Sequence, residues 1–327
     1  MPVCLRLLLL AIAVAAMVLA QSESRGKPLR VSLVKMPYVG ERNTAELSAG
    51  PDYLEQGGLL SQLEQRGCQT RPVATVRLSS EAAKSYGEWN RLALANGELA
   101  RRVADEVRGG SLPVGLLANC SALPGMLAGL QHSGPGSRPL RVGLVFIDAH
   151  ADYNTPETTL SGMLGGMPVA LSAGLCLTQM RLKAGLDPAL PQRHIVEAGV
   201  RDTDPLEQDL LDRSEIQQLS VADIRERSAN LHRQMKRLSE TTDTIYIHVD
   251  MDVLDPREVP GHPLSVPGGP TSAELGAALT EMFRYEKVGA LGIASTPYGA
   301  NDPEGISRKA AYQLILAAVD GRRSGTR

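Results

Sequence analysis

Leu140-Arg141-Val142-Gly143-Leu144-Val145-Phe146-Ile147 runs directly into Asp148-Ala149-His150-Ala151-Asp152-Tyr153-Asn154. The first segment is short and apolar, with Val142, Val145 and Ile147 β-branched, and it reads as a buried strand. A strand sends alternate side chains to one side, so Asp148, His150 and Asp152 are expected to converge at its carboxyl end. Two carboxylates and an imidazole at i, i+2, i+4 suit a divalent metal. A polar strand end with a solvated loop is the plainer alternative.

A second stretch answers the first. Ile245-Tyr246-Ile247-His248-Val249 again reads as a strand and leads into Asp250-Met251-Asp252-Val253-Leu254-Asp255-Pro256. Asp250 and Asp252 share a face, and Pro256 ends the element. Two strands that each end in paired acids supply enough oxygen ligands for two cations around one water. Carboxylates gathered this closely repel one another unless a cation neutralises them.

The 327 residues fit one long α/β domain. A hydrophobic content of 43% and a charged content of 21% are ordinary for a globular chain. With only 3% aromatic residues, the core must be built mostly of Leu, Val, Ala and Ile. A net charge of −2 without a basic stripe gives nucleic-acid binding no support. Arg6, the apolar run Leu7–Leu19 and Ala20-Gln21-Ser22, with Val18 and Ala20 placed for cleavage, read as a signal peptide over 1–20. The run is shorter than the roughly 20 residues a membrane span needs. Export to the periplasm or outside the cell is therefore expected, with no membrane attachment after cleavage. Cleavage would leave Cys68, Cys120 and Cys176, an odd set expected to stay reduced or to ligate.

Strand and helix patterns alternate along the chain. Strands are expected at Leu29–Val34, Pro72–Leu78, Leu112–Ala118, His194–Val200, Ile216–Ser220 and Ala290–Ala294, besides the two above. Helices are expected at Asp52–Gln65, Glu88–Arg108, Leu123–Leu130, Pro168–Leu177, Pro205–Asp212, Val221–Leu238, Ser272–Tyr285 and Gly305–Val319. This alternation predicts a single α/β domain over 28–320 with a mainly parallel central sheet, followed by a frayed tail over 321–327. In such sheets ligands sit at the carboxyl ends of the strands, where both acid clusters fall.

On these residues the chain resembles the ureohydrolase superfamily of arginase, agmatinase and formiminoglutamase. The resemblance rests on Asp148–Asp152, Asp250–Pro256, Gly50-Pro51-Asp52, Gly57–Leu60, Asn154-Thr155-Pro156, Ser161–Pro168, Gly199–Pro205 and Gly268-Gly269. It implies a three-layer arginase-like fold, a small-molecule substrate, and a trimeric or hexameric assembly. It also implies a binuclear manganese site with Asp148 and Asp250 bridging. His150 and Asp252 would complete one metal, and Asp152 would serve the other. The family's fourth ligand, a His, aligns with Cys120. A thiolate there would tilt that half toward zinc, iron or cobalt, whereas a thiol would be a small buried hydrophobe.

The resemblance further implies that Asn154, Ser161 and Asp204 read an amino-acid head group. Other family positions differ. The loop His that relays protons aligns with Gly165, an arginase Asn with Met163, and the Glu that clamps the guanidinium with Ala294. The expected chemistry is hydroxide attack on a guanidino, amidino or related carbon, with Asp152 passing the proton to the leaving amine. Rival readings are a mononuclear amidohydrolase, like the deacetylases that share the fold, and a metal-binding pseudoenzyme. His262, in Pro260-Gly261-His262-Pro263, could replace the missing relay or be an exposed loop residue. His248 shares a face with Asp250 and could support the metal site or simply be a satisfied core histidine. His132, His194 and His232 read as structural or solvated.

Overall fold

The computed structural model describes residues 28–38 and 48–325. The expected signal peptide over 1–20 lies outside them, as does most of the loop before Gly50. Among the described residues the nine strands are β1 (Arg30–Met36), β2 (Gln69–Thr70), β3 (Ala74–Thr75), β4 (Leu112–Leu117), β5 (Val142–Ile147), β6 (Ile195–Ala198), β7 (Gln217–Leu219), β8 (Thr244–Asp250) and β9 (Val288–Ala294). They form one sheet in the order β2-β1-β4-β9-β8-β5-β6-β7, with β3 also pairing β1. Every pairing in it is parallel. Parallel strands need crossover connections, and helices supply them here.

The central strands are buried along their whole length, so each side chain must choose one of two cores. In β5, Val145 and Ile147 enter one core while Val142, Leu144 and Phe146 enter the other. Likewise Ile245, Ile247 and Val249 of β8 face one side and Tyr246 the other. Helices α1 (Gly50–Gln56), α2 (Leu59–Gln65), α9 (Val221–Glu226), α10 (Ala229–Thr241), α11 (Ser272–Met282) and α12 (Ile306–Arg323) cover the first face. Helices α4 (Glu88–Arg108), α5 (Leu123–Gln131), α6 (Pro168–Ser172), α7 (Thr178–Lys183) and α8 (Pro205–Asp212) cover the second. The short α3 (Ser80–Ala83) precedes α4. The result is a single three-layer α/β domain.

Local chemistry explains where elements differ from the sequence reading. The expected helix Asp52–Gln65 is two helices, because Gly58 takes φ 89° between α1 and α2. Arg227 at φ 50° ends α9, and Ser228 caps α10 with its hydroxyl, dividing the expected Val221–Leu238 helix. α6 stops at Ser172, before Gly174 at φ 84°, and Leu177 at φ 50° opens α7, so the helix expected at Pro168–Leu177 is shorter. Of Pro72–Leu78 only Ala74–Thr75 pairs, near the sheet edge, as expected for a segment opening on a residue without an N–H. At the other end α12 continues to Arg323, past the boundary expected at 321.

Candidate metal centre

Strand order decides which loops meet. β9 lies between β4 and β8, and Ala294 is in register with Leu117 on one side and Asp250 on the other. The residues following β4, β5, β8 and β9 therefore converge at one edge of the sheet. Asp148 follows β5 and is held by its N–H to the Ala198 carbonyl. Its Oδ1 accepts the His150 N–H at 2.8 Å, turning the chain so that His150 comes back over the acids. Asp250 is the last residue of β8, and its Oδ1 accepts the Asp252 N–H at 3.0 Å across a tight turn. The guanidinium of Arg201 donates to the carbonyls of Gly199, Asp252, Val253, Val266 and Pro267, tying the turn after β8 to the loops beside it.

Three overlapping sets of side chains could hold a cation, each with its donor atoms within 4.8 Å of one another: Asp148, His150 and Asp252; Cys120, Asp148 and Asp250; and Asp250, Asp252 and His262. His150 Nδ1 lies 3.2 Å from Asp252 and 3.4 Å from Asp148. Burial opposes its charge, yet hydrogen bonds to and the charges of Asp148 and Asp252 push it up to about 12. Burial, then the charge of Asp252, raises Asp250 to about 7. Burial, then the charge of Asp148, raises Asp252 to about 6. Asp148 and Asp152 are raised by burial first and by neighbouring carboxylates next. This is a carboxylate-rich, water-poor cluster with oxygen, imidazole and sulfur donors, and that donor set fits a divalent cation.

The strand alternation expected to bring Asp148, His150 and Asp152 together stops before Asp152. β5 ends at Ile147, one further bridge pairs His150 with Asp202, and Asp152 sits at φ 48°. Asp152 is buried beside the cluster but outside the three sets. Its carbonyl accepts the Val169 N–H at the start of α6.

Cys120 follows β4 and is 3% exposed. Its Sγ lies 2.8 Å from Asp250 Oδ2, 3.7 Å from Asp148 Oδ2 and 3.3 Å from His248 Nε2. His248 is fully buried, stacked on Phe146 at 5.0 Å, and burial drops it to about 3, so it is neutral. Its Nδ1 is 2.8 Å from the Tyr246 hydroxyl. That buried hydroxyl proton needs an acceptor, and Nδ1 supplies it; the ring proton is then on Nε2, facing Sγ.

His262 is buried rather than exposed, at 6%, although it stands in a Pro/Gly loop. Its Nδ1 accepts the Leu264 N–H at 3.2 Å, so the neutral ring presents Nε2–H toward Asp250 Oδ1, 3.8 Å away. Burial lowers its pKa. His132 is exposed and bonds the Gly185 carbonyl. His194 is buried beside Arg193 and Arg237, away from the acids.

Asn154 and Asp204 meet: the Asn154 amide donates to Asp204 Oδ2 at 3.1 Å, and the same oxygen accepts the Leu160 N–H. Ser161 is exposed next to them and caps the Met163 N–H. Gly165 has ordinary φ, and among the described residues a Cβ built there meets only Met163, at 3.6 Å, so the backbone leaves room for a side chain.

Two site residues escaped the sequence reading. Ser295, at φ 60°, donates to Asp250 Oδ2 at 2.5 Å, and nothing in its local sequence marks it. Glu207 accepts the Tyr153 N–H and the Asp204 N–H, bracing the segment that carries Asp152 and Asn154. Asp204-Pro205-Leu206-Glu207 has capping-box spacing, which was its available signal.

The Arginase family's sequence model matches residues 30–319. Arginase from Bacillus caldovelox is 27% identical over 257 residues, covering 76% of this chain and 84% of that one. Human arginase-1 is 25% identical over 327 residues, covering 91% and 95%. The solved B. caldovelox arginase aligns with a TM-score of 0.76 at 26% identity, over 90% of this chain and 99% of that one. Formimidoylglutamase from Bacillus subtilis aligns at 0.70 with 16% identity, over 92% and 89%, a likeness of fold. The chain belongs to the arginase family.

Proposed function

We propose that the chain is a metal-dependent hydrolase of a C–N bond in a guanidino, amidino or related linear substrate. Asp148, His150, Asp152, Asp250, Asp252 and Cys120 would hold one or two divalent ions, with manganese the family's precedent. The observation that carries this reading is the overlap of the candidate ligand sets: Asp148, Asp250 and Asp252 each belong to two of them, which suits carboxylates shared between ions. A bound divalent ion would lower the pKa of its water from about 15.7 toward roughly 7.

The remaining steps belong to the side chains. Asp152 is buried and held above the ordinary carboxylate range, so it is suited to accept a proton and return it to the leaving amine. His262 Nε2–H points at Asp250 of the same cluster and would donate to the atom that gains negative charge. Asn154, Asp204 and Ser161 would bind the polar end of the substrate.

A second reading is favoured by Ala294. With no carboxylate there to oppose a guanidinium, an uncharged amide is the better-matched substrate for the same centre. Protein loaded with manganese or zinc should release urea from guanidines, ammonia from amidines or amine from amides; the product separates the two readings. Metal bound without turnover of any class would leave a binding role. We also propose export from the Arg6–Ser22 segment, tested by the N-terminal sequence of the mature protein.

A further inference from the structure

Cys120 closes a buried chain of hydrogen bonds. The Tyr246 hydroxyl donates to His248 Nδ1, and His248 Nε2–H faces Sγ. The chain is built into the sheet. His248 pairs in register with Phe146 on one side and Gly292 on the other. Phe146 stacks on the imidazole with 13° between the planes. A Cβ at residue 292 would lie 1.9 Å from the Tyr246 hydroxyl, so glycine there is what makes room for it. A cysteine that only fills space needs no oriented N–H aimed at its sulfur; a thiolate ligand does. The other half of the centre, Asp148, His150 and Asp252, offers only oxygen and nitrogen.

Resting on the metallohydrolase reading above, we propose that the two halves of the centre are chemically unequal. Cys120 ligates through sulfur and its half takes a thiophilic ion of the zinc or cobalt class, while the Asp148–His150–Asp252 half takes a harder ion such as manganese. Ligation breaks the S–H bond, forms the S–metal bond and releases one proton to solvent. His248 and Tyr246 are positioning residues: one donates to the sulfur, the other sets the tautomer that permits it.

The test is titration of the chelator-stripped full chain with cobalt(II), followed by absorption. A sulfur-to-cobalt charge-transfer band that saturates at one cobalt per chain is expected, with the band lost and one ion retained in Cys120→Ser. Tyr246→Phe removes one hydroxyl without changing packing volume. It should shift the band to lower energy and weaken zinc binding about 10–100-fold, with manganese affinity of the other half unchanged. His248→Gln, which keeps a side-chain N–H, should hold the band closer to its original energy than His248→Leu. Cobalt bound without the band would overturn the proposal and leave the metallohydrolase reading standing. A band unmoved in Tyr246→Phe would overturn the positioning roles. Failure to bind cobalt would overturn both readings.

Discussion

Cys120 Sγ and Asp250 Oδ2 are 2.8 Å apart, although β4, which Cys120 follows, and β8, which Asp250 ends, are not neighbours. β9 runs between those strands and places Ala294 in register with Leu117 of β4 and Asp250 of β8. The position that the resemblance assigns to the guanidinium clamp, Ala294, thus lies on the strand between the two partners.

Asp250 belongs to two of the candidate ligand sets and also accepts from Ser295. Asp250→Ala should therefore abolish metal binding at the two sets that contain it, lowering the metal content found by elemental analysis. Full metal content in that variant would sink the assignment of this centre.

Cys120→His would supply the nitrogen ligand that the resemblance implies for this position. Manganese occupancy should rise toward two per chain, at the expense of zinc and cobalt, because sulfur is exchanged for a harder donor. Unchanged stoichiometry and preference would place Cys120 outside the ligand set.

Gly165→His and Ala294→Glu test what the departures from the family did. Gly165→His should fold with a stability change within about 0.5 kcal/mol, since Met163 alone lies near the new Cβ. Ala294→Glu adds a carboxylate to an already acid cluster. It should destabilise metal-free protein by about 1–3 kcal/mol, an uncompensated buried polar group, and should strengthen guanidine binding in the metal-loaded form. Equal affinity for guanidines before and after would count against the clamp.

Stripped of metal, the protein should lose stability as pH rises. Asp250 has a folded pKa near 7, above the usual carboxylate value of 3.8. The folded state therefore binds more protons than the unfolded state between these values. That stabilising term is fully present below about 4 and lost as pH passes through 7, on the order of 4 kcal/mol. His150 acts in the same direction from 6.5 upward, as its pKa is also raised. Denaturant midpoints from pH 5 to pH 8 should fall for the chelated protein and be restored by metal. A midpoint rising with pH in the chelated protein would contradict the buried cluster.

Glu207→Ala should cost about 1–3 kcal/mol for each backbone N–H it leaves without an acceptor. The Tyr153 N–H is buried with its residue, so its loss should loosen the turn that carries Asp152 and reduce kcat more than it raises KM. A purely structural role would lower the unfolding midpoint and leave the rate per folded molecule unchanged.

Much of this was legible in the chain. Short β-branched runs ending in paired acids, 102 residues apart between Asp148 and Asp250 (250 − 148), mark strand ends that can bind metal. Strand alternation and turn chemistry are local properties, so the α/β class and the carboxyl-end placement follow from them. Local turns were harder: a left-handed Arg227 or Leu177 has no strong residue signal, and Asp152 left the strand register its spacing suggested.

What the sequence by itself determined is the inventory of ligands and the ends of the strands that carry them, because both are set within a few residues by side-chain period and backbone propensity. What only the tertiary structure decided is their company. The order β4-β9-β8-β5 brings Cys120 to Asp250, buries His262, and lines up Gly292, Tyr246, His248 and Cys120. These contacts join residues up to 130 apart in the chain (250 − 120), and strand order, which fixes them, is a property of the packed sheet rather than of any one segment.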